Sequence, residues 1–447
     1  MTDLLFIQKS GLPWHGVMSL SASLRKVGYS TDLILYDQTK DLIATIKNLN
    51  PEFIAFPVIT GEEVWVRSTA NYIKCYFPLI KVIYGGPHAT FYPETLTDGF
   101  IEPSIFVGEC DTELPRLLRA LNGGELFYCS IERDLDSLPF PDRSIYYKYP
   151  HLEKATVKQF MTGRGCPFNC SFCGNHIQKK IYNVKTSEFV RRHSPQYVVD
   201  YMYRIQKEFG YKTASFTDDV FTLDVNWLDN FAGLYSHVIH VPFMCNVRAD
   251  IISGKRGDEI LKLLKSMGCY GVSMGIESGS GRILKDILNK GETVYQMISA
   301  GKKVKDNNLV LKTYNMIGIP TETVNDVYTT IQLNRIIKPD HTSCSFLTPY
   351  PRYDICKHYD VVPNITSSIY KPNKSISPEI VNLQTFFFMA VKMPWLTPLI
   401  KKLTSLPPNP LFRLAAKGFY GLFMAKVHRL TPLDIWRYAR NIDPSRI

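Results

Sequence analysis

The chain has 447 residues, more than a single hydrophobic core ordinarily serves, so two or three domains are expected and a disulfide-stapled mini-protein is excluded. With 45% hydrophobic and 21% charged residues it falls among packed globular proteins, which excludes a low-complexity or broadly disordered chain. A formal charge of +11 is compatible with nucleic acid, an anionic membrane surface or phosphorylated substrates, and selects none of them.

The opening MTDLLFIQKSG has an acidic residue and a short apolar run broken by Gln8 and Lys9. That is a first strand rather than a secretory segment, and a cytoplasmic protein is expected. No apolar run reaches the roughly 18 residues of a spanning helix. In that compartment the ten cysteines are thiols or metal ligands rather than bridges.

From the start the chain alternates strands and helices. Leu4–Gln8, Ser30–Tyr36, Phe53–Val58, Val82–Gly86 and Ile105–Glu109 read as strands. Helices are predicted over Val17–Val27, Asp41–Leu49, Glu63–Tyr76 and Glu113–Leu121. This rhythm implies a doubly wound, Rossmann-like parallel sheet over residues 1–128, with ligands beyond the carboxyl ends of its strands. The proline pair in LDSLPFPDR breaks the rhythm, so 129–150 reads as a linker crossing the surface.

A second series follows over 151–355, with strands VKQFMTG, TASFTDD, PFMCNVRAD, GVSMGIES, KTYNMIG and TSCSFLT. Six βα units imply a partial (β/α)6 barrel, again with chemistry at the strand C-termini. From 356 to 447 the pattern gives way to a mostly helical, basic and aromatic region.

Cys166, Cys170 and Cys173 lie within GRGCPFNCSFCGN, directly after the first strand of the second series. Gly163, Gly165 and Pro167 make this a loop that can curl around a metal group. Structural zinc takes four ligands and no local fourth is present. Three thiolates suit a 4Fe-4S cluster with one iron left open.

This Cys-x3-Cys-x2-Cys loop resembles the hallmark of the radical S-adenosylmethionine (SAM) superfamily, with Phe172 at the aromatic position before the third cysteine. The Rossmann-like domain, the LPFPDR linker and the six-strand series together resemble its cobalamin-binding class over nearly the whole chain. The resemblance implies that the open iron chelates SAM and that its electron cleaves the sulfonium to a 5′-deoxyadenosyl radical. By the same resemblance Asp218 and Asp219 meet the methionine amino end, although the usual Gly-Gly-Glu is absent. Arg248 follows on the next strand, Glu277 and Ser278 match the ribose position, and the stretch containing Ile317 and Gly318 flanks adenine.

Three strand-end segments resemble the cobalamin loops of that class: Thr60 and Gly61; Gly85, Gly86, Pro87 and His88; and Val107, Gly108 and Glu109. Two tight turns serving only the fold are the alternative. No Asp-x-His-x-x-Gly is present, so cobalamin is expected without a histidine below cobalt.

The function implied is C-methylation of an unactivated carbon in a small or lipid-like substrate. The alternatives are radical cyclisation, rearrangement or ring formation, and a non-catalytic iron–sulfur electron-transfer protein. An external flavodoxin- or ferredoxin-type donor is implied. Nucleic acid is not expected, since no RNA-binding module is present. Phe386–Leu430 interleaves aromatic and basic residues, so it reads either as an interfacial pair of helices at the inner membrane face or as a helical cap on the barrel.

Overall fold

The computed structural model describes residues 2–9, 11–97, 100–359 and 376–428, with side chains to 421. The chain forms two compact units, one of residues 1–167, 174–218 and 237–241 and the other of residues 168–173, 219–236 and the chain from 242 onward.

The first unit begins with strands β1 (Leu4–Gln8), β2 (Thr31–Leu35), β3 (Phe53–Pro57), β4 (Lys81–Gly85), β5 (Ser104–Val107) and β6 (Leu126–Tyr128). They stand in the order β2-β1-β3-β4-β5-β6, and every pairing is parallel. All five residues of β1 are buried. Leu4 and Phe6 enter one core while Leu5 and Ile7 enter the other, because successive side chains point to opposite faces. Strand order reverses between β1 and β3, which is where such sheets open a crevice for a ligand.

Two expectations are corrected within this unit. GGPHATF is a helix, Gly86–Phe91, rather than a loop, with Pro87 in its first turn where a missing N–H costs nothing. The expected surface linker is buried in part: Arg143, Ile145, Tyr146 and Tyr147 are 0–6% exposed, while Arg133, Asp134, Asp136, Ser137 and Lys148 remain on the surface. The physical reason is a set of bonds that the prolines do not advertise. Tyr146 donates to Gln8 Oε1 (2.5 Å), and Arg143 binds Tyr201 Oη (2.7 Å), Tyr147 Oη (2.8 Å) and the Gln159 carbonyl. Its guanidinium also lies 4.6 Å from the centre of the Phe160 ring. Helix Pro195–Phe209 and strands β7 (Val157–Phe160) and β10 (Thr213–Phe216) belong to the same compact unit as residues 1–150.

Between β7 and β10, β8 (Gly163–Arg164) and β9 (Arg191–Arg192) pair antiparallel. In the second unit β11 (Phe243–Val247), β12 (Cys269–Glu277), β13 (Val310–Ile317) and β14 (His341–Phe346) pair parallel in sequence. In the second unit the strands stand in the order β14-β13-β12-β11, and in the first β10 pairs parallel with β7, an open half-barrel pattern rather than a closed eightfold one. Helices Val294–Asp306 and Val324–Ile337 start at capping boxes, Thr293 with Gln296 and Thr323 with Asp326.

Helix Pro378–Lys392 buries Ile380, Leu383, Phe386, Phe387 and Ala390 against Ile317, Ile331 and Phe346. This part of the C-terminal region is a cap. Part of the expected interfacial segment, 429–430, lies outside the described residues.

Candidate functional site

In the second unit, the stretch 168–173 is fastened to the turn after β12. Ser171 N and Oγ donate to the carbonyls of Leu288 (2.9 Å) and Ile287 (2.6 Å), Asn289 Nδ2 donates to the Asn169 carbonyl (2.9 Å), and Ile355 N donates to the Ser171 carbonyl (2.9 Å). That turn leaves a π-helical stretch, Ile283–Ile287, and passes through positive φ at Asn289 (46°) and Gly291 (74°). Such departures from regular helix gather at functional sites. Here the turn carries Lys290 and Glu292, both buried and neither found by sequence reasoning.

Glu292 organises the charges around it. Its Oε1 accepts from Ala249 N (2.6 Å), and its Oε2 lies 2.8 Å from Lys290 Nζ and 3.6 Å from Arg248. Arg248 donates to Asp250 (3.1 and 3.0 Å) and to the Lys290 carbonyl (3.1 Å), and stacks 3.5 Å from the centre of the Phe168 ring. Arg248 also faces the Cys170 thiol. Burial raises the Cys170 pKa, while Lys290 and Arg248 act against that rise. The only signal in the sequence was the pair of opposite charges flanking Gly291, a pattern common on any surface.

Glu277 ends β12 with a φ of 62°, a conformation that side chains rarely adopt outside strained sites. Its carboxylate folds back over Gly275, where any Cβ would collide with Oε1, and lies 3.8 Å from Lys290 Nζ. Burial raises its pKa and Lys290 opposes the rise. Ser278 is fully buried and accepts from Ser280 N (3.2 Å). Ile317 is fully buried, and Gly318 (φ 71°) donates to Glu322 Oε2 (2.7 Å). Asp219 is exposed.

In the first unit Asp218 is 4% exposed and locks the end of β7, accepting from Thr162 N (3.0 Å) and Oγ1 (2.6 Å). Cys166 is 9% exposed and follows Gly165, whose φ of 89° and contact with the Phe189 carbonyl admit no Cβ. In the second unit Cys170 is buried, and Phe172 and Cys173 are half-buried. Among the described residues no three His, Cys, Asp or Glu are gathered as a metal centre, and every cysteine is a free thiol. The donors present nonetheless fit a cluster held by three thiolates, since CPFNCSFC contains no histidine or carboxylate and cations face Cys170.

The strand-end segments divide by their surroundings. Around Gly61 and Gly85 an added Cβ would meet nothing within 4 Å, so both leave room for a ligand. Gly86 and Gly108 instead press against protein: a Cβ would come within 3.0 Å of Val58 N and 2.8 Å of the Cys129 carbonyl. Their positive φ serves the fold. His88 is 4% exposed with Nδ1 3.1 Å from Thr60 Oγ1 and Nε2 2.7 Å from Thr95 Oγ1. Both ring nitrogens are thus engaged by the protein, and burial lowers the His88 pKa. Pro87 lies in the same helix, and Val107 is core.

Glu109 takes a different part, binding Arg164 (2.7 Å) and Arg191 (2.6 Å). Arg164 continues to Asp111 (2.7 Å), which also accepts from Ser19 (2.5 Å). Burial would raise the Asp111 pKa, but Arg164 outweighs it and the net shift is downward. Arg164 also lines a small cleft with His15, Met161, His193 and Tyr197. Burial lowers His15 to about 3 and His193 to about 4, so both rings are neutral there.

Two family models match: the radical SAM superfamily over residues 160–333, and the B12 binding domain over 7–118. An uncharacterized methyltransferase of Pyrococcus horikoshii is 28% identical over 335 residues, 70% of each chain. The anaerobic magnesium-protoporphyrin IX monomethyl ester cyclase of Rubrivivax gelatinosus is 26% identical over 76% of this chain and 65% of its own length. The solved structure of the radical SAM methyltransferase TsrM from Kitasatospora setae, with tryptophan and a SAM analogue, superposes with a TM-score of 0.64 at 15% identity, over 91% of this chain and 89% of that one. That likeness is one of fold.

Proposed function

Because the chain belongs to the radical SAM superfamily and carries a B12-binding domain ahead of its radical SAM domain, we propose that this enzyme is a C-methyltransferase acting on an unactivated carbon of a small or lipid-like molecule. Its cofactors are a 4Fe-4S cluster, SAM and cobalamin. When bound, they supply a reducing electron, a 5′-deoxyadenosyl radical and a methyl group.

The chain's residues bind and orient. Cys166, Cys170 and Cys173 hold the cluster, with Lys290 and Arg248 facing Cys170. Glu277, set by its positive φ and by Lys290, takes the ribose hydroxyls, and Arg248 and Lys290, held in place by Glu292 and Asp250, offer N–H donors to the SAM carboxylate. Gly61 and Gly85 give cobalamin its open edge. Asp218 is already bound by Thr162, so it shapes the end of β7 and leaves the methionine amino group to other acceptors. The electron comes from an external flavodoxin- or ferredoxin-type protein.

The single observation that carries the methylation reading is the 28% identity, over 335 residues, to a protein named as a methyltransferase. A second reading, radical cyclisation, is favoured by the cyclase relative. Anaerobic turnover with methyl-deuterated SAM, reductant and a substrate extract separates them. Methylation yields deuterium-labelled product with both S-adenosylhomocysteine and 5′-deoxyadenosine. Deoxyadenosine without S-adenosylhomocysteine would transfer the assignment to cyclisation or rearrangement.

A further inference from the structure

We propose that the face built by residues 394–417 docks the enzyme on an anionic lipid bilayer. The inference rests on how the C-terminal helices divide their apolar residues. Helix Pro378–Lys392 spends its apolar side on the core, and Ile400, Leu403 and Phe412 continue inward. Five large apolar side chains on the following elements have no such use: Trp395 is 72% exposed, Leu399 51%, Leu406 48%, Leu411 67% and Leu414 68%. They fall on the turn Pro394–Leu396, helix Thr397–Thr404, the exposed stretch that follows, and the start of helix Pro410–His428.

Charge selects the occupant. From Ile380 to Leu433 the sequence has no Asp or Glu, whereas Lys392, Lys401, Lys402, Arg413, Lys417, Lys426 and Arg429 all fall within it. Lys401, Lys402 and Arg413 are exposed between the outward leucines. A protein partner would desolvate those cations, and lysine is depleted at the cores of protein interfaces. An anionic headgroup layer instead lets Leu and Trp enter the acyl boundary while lysine stems reach back to phosphate. No helix among the described residues is long and apolar enough to cross a membrane, so the contact is with the surface. Docking stands apart from the methylation reading, and bears on it only by bringing a lipid-like substrate within reach.

The test uses the full-length reconstituted enzyme with vesicles of phosphatidylcholine, alone or mixed with phosphatidylglycerol, at low and high salt and without SAM. Cosedimentation is expected with the anionic vesicles only, weaker at high salt but not abolished, because screening leaves apolar insertion intact. Lys401→Gln with Lys402→Gln should weaken binding about thirtyfold, each lysine near an anionic surface contributing a factor of about five. Trp395→Ser with Leu399→Ser should remove the salt-resistant fraction. All four side chains are exposed, so circular dichroism and cluster absorbance should match the parent enzyme. Equal recovery in the supernatant with and without phosphatidylglycerol would overturn the proposal. So would self-association in sedimentation equilibrium that the serine variant abolishes, which would assign the face to a second copy of the chain.

Discussion

Glu292 is fully buried and serves three groups at once: a helix N-terminus through Ala249 N, the Lys290 ammonium and the Arg248 guanidinium. Removing one partner of a buried ion pair leaves an uncompensated charge, which is far costlier than removing a surface pair. Glu292→Ala should therefore destabilise the protein by about 3–5 kcal/mol. Glu292→Gln keeps an acceptor for Ala249 N and should cost less. Denaturant titration of the two variants checks the order, and equal stability would show that Lys290 finds another partner. Gly275 offers a sharper probe of the site itself. An alanine there collides with the Glu277 carboxylate, so Gly275→Ala should lower SAM affinity about tenfold to a hundredfold, the worth of a hydrogen bond to a charged group. Equilibrium dialysis with SAM reads this directly. Unchanged affinity in a folded variant would take Glu277 out of the SAM site.

The stretch after β13 couples a loop to pH. Burial raises the Glu322 pKa to about 8 even though Gly318 N and Ile319 N both donate to it, which pull the other way. Its folded value thus lies above the ordinary 4.5. Stability from this group is complete below pH 4.5 and is lost as pH rises through about 8, because only the unfolded chain gives up the proton across that window. Glu322→Gln cannot ionise, so unfolding free energies from denaturant titrations between pH 5 and pH 8 should fall less steeply for the variant than for the parent, by up to about 1.4 kcal/mol per pH unit. Parallel curves would mean that Glu322 ionises freely when folded. The same element illustrates what sequence reading reaches. β1 and β3 were visible because a parallel strand buried on both faces reads as an apolar run, β13 because its burial alternates residue by residue, and the cysteine loop because glycine and proline exclude a helix. Lys290 and Glu292 were not visible, since burial of a charge depends on partners brought from Ala249 and Arg248, some forty positions away. The buried Arg143 was hidden for the same reason: its prolines announced a break in the helices, not where the chain went next.

In the molecule as a whole, a B12-binding domain precedes a radical SAM domain, and what the first of these offers cobalt is the question its geometry addresses most directly. Two histidines of the B12-binding domain sit near the ends of its sheet strands. His88 is buried with both ring nitrogens held by Thr60 and Thr95. His15 follows β1, and its burial lowers the pKa to about 3; its Nε2 lies 3.5 Å from Thr217 Oγ1. To reach a metal, His88 would have to break two hydrogen bonds in a buried site, each worth about 0.5–1.5 kcal/mol, and leave the threonine hydroxyls unsatisfied. Nothing in the surrounding helix provides compensation, because Pro87 and Gly86 fix the backbone from which the ring projects. The domain should therefore bind cobalamin without a protein imidazole below cobalt. Electron paramagnetic resonance of the cob(II)alamin form, prepared in protein labelled with nitrogen-15 at histidine only, isolates that contribution from the nitrogen of cobalamin's own base. The spectrum should be unchanged by the label, and the His88→Ala and His15→Ala variants should retain cobalamin with the same signal. A label-dependent splitting that either variant removes would make that histidine a ligand and overturn the reading of its hydrogen bonds as structural.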